Sequence, residues 1–267
     1  MGRTLAFNWM GIKKPVSKSK NKVALVTGGG RGIGAETARL LAENGYSICI
    51  NYISDRNAAE KVKEEVLRHG VKCITVRADV SNEKEVVRLF KKVDDELGTV
   101  SVLVNNAGIL KKQSRLEDIS AERFLDIFNT NVMSCFLCSK EAVKRMSTKR
   151  GGAGGTIVNI SSGAAKTGSP NEYIDYAASK GAIDTLTRGL AIEVASEGIR
   201  INAVRPGLIY TEMHASGGEP NRVNRLKSKL PLQRGGKPSE VAEAILWLAT
   251  EKSSYVTGSF IDTTGGI

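Results

Sequence analysis

The chain has 267 residues, 41% hydrophobic and 25% charged, with a formal net charge of +11. Those proportions exclude a disordered or fibrous chain, and the length suits one large α/β domain or two small ones. Six of the 39 basic residues (Arg3, Lys13, Lys14, Lys18, Lys20, Lys22) lie in an acid-free front segment, which leaves 33 against 28 acids, or +5.

That remainder is an ordinary surface excess with no basic stripe interleaved with aromatics, so no nucleic-acid partner is expected. Nor is a membrane partner, since no apolar run approaches the ~20 residues needed to span a bilayer. Residues 1–21 read as a disordered basic extension without the continuous apolar segment of a signal peptide.

From residue 22 onward short apolar runs alternate with helical spacing, which predicts an α/β fold with a doubly wound parallel sheet in a single domain, 22–267. Strands are expected at 23–27, 46–52, 71–78, 100–104, 156–160, 201–204 and 259–261. Helices are expected at 33–43, 58–69, 83–97, 121–146, 176–197 and 240–249. The first three close at Gly45, Gly70 and Gly98, as helices commonly do. Residues 151–155 read as a flexible surface turn and 211–230 as irregular or loosely helical. Cys49, Cys73, Cys135 and Cys138 sit inside apolar segments rather than at disulfide spacings. Cys135 and Cys138 form a C-x-x-C in a helical pattern, not at a strand-to-helix turn, so buried thiols in a reducing cytoplasm are expected. No metal is expected.

The first strand runs into Thr27-Gly28-Gly29-Gly30-Arg31-Gly32-Ile33-Gly34, which opens the first helix. Backbone N–H groups of such a turn can approach a pyrophosphate, and the helix N-terminus adds positive potential. Gly34 removes a side chain where helix and strand pack closely. A glycine-rich surface loop is the plainer alternative; the flanking strand and helix decide against it. A Walker A loop would end in Lys-Ser/Thr. The acid that marks NAD specificity belongs at the end of the second strand, where this chain has Asn51-Tyr52-Ile53-Ser54. Arg31, with Ser54 or Arg56, could instead bind a 2′-phosphate through charge-assisted bonds. NADP(H) is therefore favoured over NAD(H). Asp55 is the contrary residue, unless it serves only as a turn residue ahead of the second helix.

Tyr176-Ala177-Ala178-Ser179-Lys180 sets a phenol and an ammonium at i and i+4 on one helix face. Tyrosine is a poor acid or base near neutrality, its ordinary pKa being ~10, and a nearby cation favours the phenolate. Tyr173 is a competitor, but Ala177, not lysine, stands four residues beyond it.

These residues join Asn105-Asn106-Ala107-Gly108, Val158-Asn159-Ile160-Ser161-Ser162, Arg205-Pro206-Gly207, Tyr255-Val256-Thr257-Gly258 and Gly265-Gly266. With all of them the chain resembles the short-chain dehydrogenase/reductase family over essentially all of 22–267. The resemblance implies a Rossmann fold and an oxidoreductase that interconverts a carbonyl and a secondary alcohol by hydride transfer. It implies Tyr176 as the acid in reduction and the base in oxidation. Lys180 would lower its pKa and bond the nicotinamide ribose, Ser162 would bond the substrate oxygen, and Asn131 would hold a relay water. Around the cofactor, Asp79 would bond the adenine, Asn106, Ala107 and Gly108 would line the cleft, and Thr211 would contact the carboxamide or pyrophosphate. Tyr52, Val80, Pro206, Gly207 and Ile209 would lie beside them, together with Gly28, Gly30, Arg31, Gly32, Ile33 and Gly34 of the turn. The family also implies a homotetramer packed through helices 121–146 and 176–197. Their apolar residues Phe124, Phe128, Val132, Phe136 and Leu137, and Ala182, Ile183, Leu186, Leu190 and Val194, exceed a single stripe.

Within the family the chain is similar to 3-oxoacyl-(acyl-carrier-protein) reductases and to glucose 1-dehydrogenase-like members. An acyl thioester is slightly favoured as substrate, with glucose, a polyol or another small alcohol as the alternative. A cofactor-sensing scaffold would show a damaged tetrad, and here all four residues stand. Arg222, Arg225, Lys227 and Lys229 would suit an acidic carrier protein or, equally, a solvated helix face. His214 in the same loop is expected to be exposed. The stretch between Ser162 and Tyr176 runs one residue longer than in many members, through Glu172-Tyr173-Ile174-Asp175, and leaves Ser161 as an alternative to Ser162.

Overall fold

Seven apolar runs become the strands of one sheet: β1 (Val23–Val26), β2 (Ser47–Tyr52), β3 (Cys73–Arg77), β4 (Val102–Asn105), β5 (Gly155–Ile160), β6 (Ile199–Pro206) and β7 (Phe260–Thr263). The computed structural model describes residues 22–267, so the expected extension at 1–21 lies outside the described residues. The strand order is β3-β2-β1-β4-β5-β6-β7, and every pairing is parallel. Such a sheet needs cover on both faces, which is why Val-Ala-Leu-Val of β1 is apolar without alternation and fully buried.

Successive side chains still point to opposite faces. Ala24 and Val26 pack with α1 (Gly32–Glu43), α2 (Arg56–Leu67) and α10 (Pro238–Ala249). Val23 and Leu25 pack with α3 (Glu83–Glu96), α5 (Ser134–Met146) and α7 (Ile174–Val194). Phe90, Leu41, Ile48 and Ile157 are among the largest fully buried side chains, each stabilising the fold by roughly 1.5–3 kcal/mol. The sheet order reverses between β1 and β4, where a crevice opens beyond the carboxyl ends of the strands.

Three local expectations are corrected and one, for 211–230, is made specific. Helix 121–146 is not continuous: α4 (Ala121–Phe128) and α5 are joined by a π-helical turn, Asn129–Met133, a wider turn that often marks functional positions. Helix 176–197 starts earlier, at Ile174, and ends in a tighter turn at Ala195–Glu197. Residues 211–230 hold two short helices, α8 (Met213–Ser216) and α9 (Arg222–Leu226). Finally, 151–155 is a close-packed joint, because a Cβ on Gly152 would lie 2.3 Å from the Arg145 carbonyl, and Gly155 already belongs to β5. One further short helix, α6 (Ala164–Thr167), follows β5. All four cysteines are free and buried, and burial pushes the Cys73 and Cys135 thiols up to about 12. Among the described residues no helix is long and apolar enough to cross a membrane.

Candidate active site

The glycine turn leaves β1 under tight restraint. Gly28 and Gly32 have φ values of +60° and +52°, the left-handed region that a side chain disfavours. The Thr27 hydroxyl accepts N–H bonds from Asn106 and Ala107, both at 3.0 Å. The Asn106 amide donates back to the carbonyls of Thr27 at 2.9 Å and Gly28 at 3.0 Å. A Cβ on Gly34 would lie 2.5 Å from both the Asn106 amide nitrogen and the Gly28 carbonyl oxygen, so the close packing expected of Gly34 is observed. Arg31, the residue before α1, makes no side-chain cap, and the first turn of α1 holds no acid. An open helix N-terminus of this kind suits an anionic group.

The residues at the strand ends fit a dinucleotide. A cleft of about 300 Å³ is lined by Ile33, Asn106, Ile209, Thr211, Tyr176 and Lys180 among others. Pro206 and Gly207 also line it, while Ala107 and Gly108 sit half-buried after β4. A Cβ on Gly108 would lie 3.2 Å from Asn131 Oδ1 and 3.6 Å from Lys180 Nζ, which places these three together. Toward β2 and β3, Tyr52 is half-buried, Val80 is buried, and Ser54, Arg56 and Arg31 are exposed. Asp79 accepts bonds from the N–H and hydroxyl of Ser81. Asp55 accepts the Ala58 N–H at 2.9 Å as the N-cap of α2. That bond is in keeping with a turn residue ahead of the second helix.

Tyr176 sits two residues into α7, whose first turn is tied down by the buried Asp175. Asp175 accepts the Tyr176 N–H at 2.9 Å and a two-pronged bond from Arg123 of α4. Lys180 Nζ lies 5.5 Å from the centre of the Tyr176 ring and donates to the Ile160 carbonyl at 2.7 Å. Burial pushes the Tyr176 phenol up to about 12, against the lowering effect of its hydrogen bond with Ser162. Burial likewise draws Lys180 down to about 8, opposed by Cys135 and Asp184. Burial of the phenol sets the direction for Tyr176 in the protein alone.

The choice between the two serines is decided by partners. The Ser161 hydroxyl is buried and donates to Asp184 at 2.7 Å, with the Lys180 carbonyl at 3.3 Å. Ser162 lines the cleft with Tyr176, and its hydroxyl accepts the Ala164 N–H at 3.1 Å. Asn131 is fully buried in the π turn; it accepts the Ile109 N–H at 2.7 Å and donates to the Ile109 carbonyl and the Ser179 hydroxyl. These three bonds fix the side chain beside Ile109 and Ser179.

On the substrate side two expectations are corrected. His214 is half-buried and donates from Nε2 to the Ile209 carbonyl at 2.9 Å. Arg222 is buried and paired to Glu172 and Glu219, and Arg225 is paired to Glu219. Only Lys227 and Lys229 of the four basic residues lie exposed without a part in that cluster. Arg123 and Asp184 were not expected at the site. Arg123 pairs with Asp175, 52 residues on, and Asp184 with Ser161 and Arg205, and no motif links them.

The comparisons with known proteins agree with this geometry. A family model described as enoyl-(acyl carrier protein) reductase matches residues 28–267. The uncharacterized oxidoreductase YgfF of Escherichia coli (strain K12) is 57% identical, over 91% of this chain and 99% of its own. The 3-oxoacyl-(acyl-carrier-protein) reductase FabG of Staphylococcus epidermidis is 36% identical, over 92% of this chain and 99% of its own. Among solved structures, a short-chain type dehydrogenase/reductase from Mycobacterium marinum matches with a TM-score of 0.85 and 34% identity, covering 91% of this chain and 94% of that one. The chain belongs to the short-chain dehydrogenase/reductase family, whose members are NAD(P)-dependent enzymes acting on CH–OH groups.

Proposed function

We propose that the protein is an NADP(H)-dependent oxidoreductase interconverting a carbonyl and a secondary alcohol, with 3-oxoacyl thioesters as the best-supported substrates. The observation that carries this reading is the Tyr176 phenol, sharing its cleft with Ser162 and lying beside Lys180, in a space that reaches Ile33 of the glycine turn. Bound along that cleft, the dinucleotide supplies the hydride. Ser162 holds the substrate oxygen against Tyr176. Tyr176 gives its proton to that oxygen as negative charge develops. Lys180, its ammonium 5.5 Å from the ring centre, stabilises the phenolate until solvent restores the proton, and Asn131 bonds Ile109 and Ser179. The thioester preference draws on the FabG relatives.

Three features support NADP(H): Asp55 is spent on a helix cap, β2 ends without an acid, and Arg31 and Arg56 are exposed beside the turn. A homotetramer is supported by Phe124, Leu125, Met133 and Phe136 of the α4–α5 segment and Ile192 of α7. They are 40%, 58%, 42%, 47% and 81% exposed, which is large for apolar side chains grouped on two helices. The four buried free thiols support a reducing compartment such as the cytoplasm. The test is an assay of the purified full chain with NADPH and NADH on ketones, 3-oxoacyl thioesters and sugars, followed by nicotinamide absorbance. NADPH-dependent reduction of a 3-oxoacyl thioester is expected; a chain that reduces only sugars or none of the panel would contradict it. Light scattering should give four times the chain mass.

A further inference from the structure

One wall of the cleft that holds Tyr176 is built from Glu172, Tyr173 and Arg222. Arg222 is only 8% exposed, and its surroundings explain how a guanidinium tolerates that. Its NH1 donates to Glu172 at 2.9 Å and to Glu219 at 3.2 Å, and NH2 to the other Glu172 oxygen. The group also lies over the Tyr173 ring at 5.0 Å. Glu219 accepts in turn from Arg225 and, at 2.9 Å, from Gln113. Two guanidiniums face two carboxylates, and the cluster is neutral.

The loop that brings Glu172 here is part of the stretch between Ser162 and Tyr176. It turns back through Ser169 and Asn171, at φ +44° and +61°. Arg222, the cation on this wall, is already paired to two carboxylates. Lys180 lies apart from it beside the Tyr176 ring and donates to the Ile160 carbonyl, and His214 donates to Ile209 and is held below its usual range by burial, hence neutral near pH 7. Leu110, Ala164, Pro170 and Met213 are uncharged parts of the lining. A carboxylate arriving at this wall would lose its hydration, meet Glu172 and find Arg222 taken.

We propose that the Glu172–Arg222 pair is a charge filter: the enzyme accepts carbonyl compounds whose entering end carries no carboxylate, and Glu172 is the residue that sets this preference. The proposal rests on the oxidoreductase reading above and names the substrate class within it. It is tested with the full chain and NADPH on ethyl acetoacetate and acetoacetate, which share the reacting ketone and differ in the free carboxylate. Wild type should favour the ester by at least about tenfold in kcat/KM. Glu172→Gln keeps the shape, leaves the cluster at +1, and should raise kcat/KM for acetoacetate about tenfold while the ester changes less than about threefold. Adding Arg222→Met to Glu172→Gln should abolish that gain. Equal wild-type values, or an unchanged ratio in Glu172→Gln, would overturn the filter.

A binding measurement separates this failure from that of the underlying reading. With NADP present, 3-hydroxybutyrate should raise the melting temperature of Glu172→Gln and not of wild type. If neither ketone is reduced with either cofactor, the oxidoreductase reading falls by itself. The filter then stands or falls on whether the anion stabilises wild type as much as the variant.

Discussion

The two sides of the cleft are held by different means. Around the glycine turn the contacts are backbone groups and amides, and a carbon added to Gly34 would sit 2.5 Å from both Asn106 and Gly28. Across from it, the wall formed by Glu172, Tyr173 and Arg222 is fixed to α8 and α9 by side-chain ion pairs and one tyrosine bond, from Tyr173 Oη to the Gly217 carbonyl. A backbone-built site tolerates almost no change, because each atom is shaped by its neighbours. A charge-built wall can be altered by one substitution without moving the chain. Cofactor geometry is thereby fixed and substrate preference left open to variation, the usual division between a fold and the site it carries.

Tyr176 stands where the two sides meet, and its removal should give the largest effect. Tyr176→Phe deletes one hydroxyl without opening a cavity, so kcat should fall roughly 10²–10⁴-fold. The cofactor Kd, measured by fluorescence titration, should stay within about threefold of wild type. Lys180→Ala should damage both. A Tyr176→Phe chain retaining a sizeable fraction of wild-type turnover would break the assignment, and Tyr173 is no ready substitute, since its hydroxyl already donates to Gly217.

Next in size is a test of the backbone-built side. Gly34→Ala places a carbon 2.5 Å from two fixed atoms, and overpacking of this kind costs about 1–3 kcal/mol. A melting point lower by roughly 2–4 °C per kcal/mol is expected, with cofactor affinity falling along with it. An alanine that left both unchanged would show that the turn is less rigid than its contacts imply.

Arg31→Ala sharpens the comparison more gently, because it removes a charge and leaves the turn's backbone alone. A charge-assisted bond to a 2′-phosphate contributes roughly 1.5–3 kcal/mol. The kcat/KM ratio of NADPH to NADH should therefore fall about tenfold or more. Equal ratios in wild type and variant would mean that Arg31 faces solvent in the complex as well.

What could be read from the residues follows the same division. The seven strands, the glycine turn and the Tyr176–Lys180 pair were legible because they are local: an apolar run buried on both faces, or a motif whose parts lie within a few residues. Boundaries shifted by one to three residues where caps and turns compete, as at Arg56 and Ile174. The π turn at Asn129–Met133 was not legible, since it is decided by the bonds of Asn131 to Ile109 and Ser179, the latter 48 residues on. Neither was the fate of Ser161, whose hydroxyl is claimed by Asp184, or of Arg222, buried only because Glu172 lies 50 residues before it in the chain. Charged residues reveal their role only through partners, and those partners are set by the fold.

The smallest expected effect concerns pH and the charge-built wall. The Arg225 hydrogen bond, chiefly, with help from Arg222, holds the Glu219 carboxyl down at about 2. Its folded pKa is thus below the unfolded value of ~4.3, so its contribution to stability is complete above that value. It is lost as the pH falls from there toward 2. Glu219 is 20% exposed and Arg225 49%, so solvent screens the pair and the contribution should be under about 1 kcal/mol. Wild type and Glu219→Gln should therefore differ by no more than about 2–4 °C in melting point at pH 7, and the difference should close as the pH approaches 2. Limited proteolysis within 213–226 should be faster in Glu219→Gln at pH 7, while cofactor binding at the glycine turn is unaffected. A melting difference that persisted unchanged into acid would place the stabilising role of Glu219 in packing rather than charge, and the contrast between the two sides of the cleft would lose its electrostatic half.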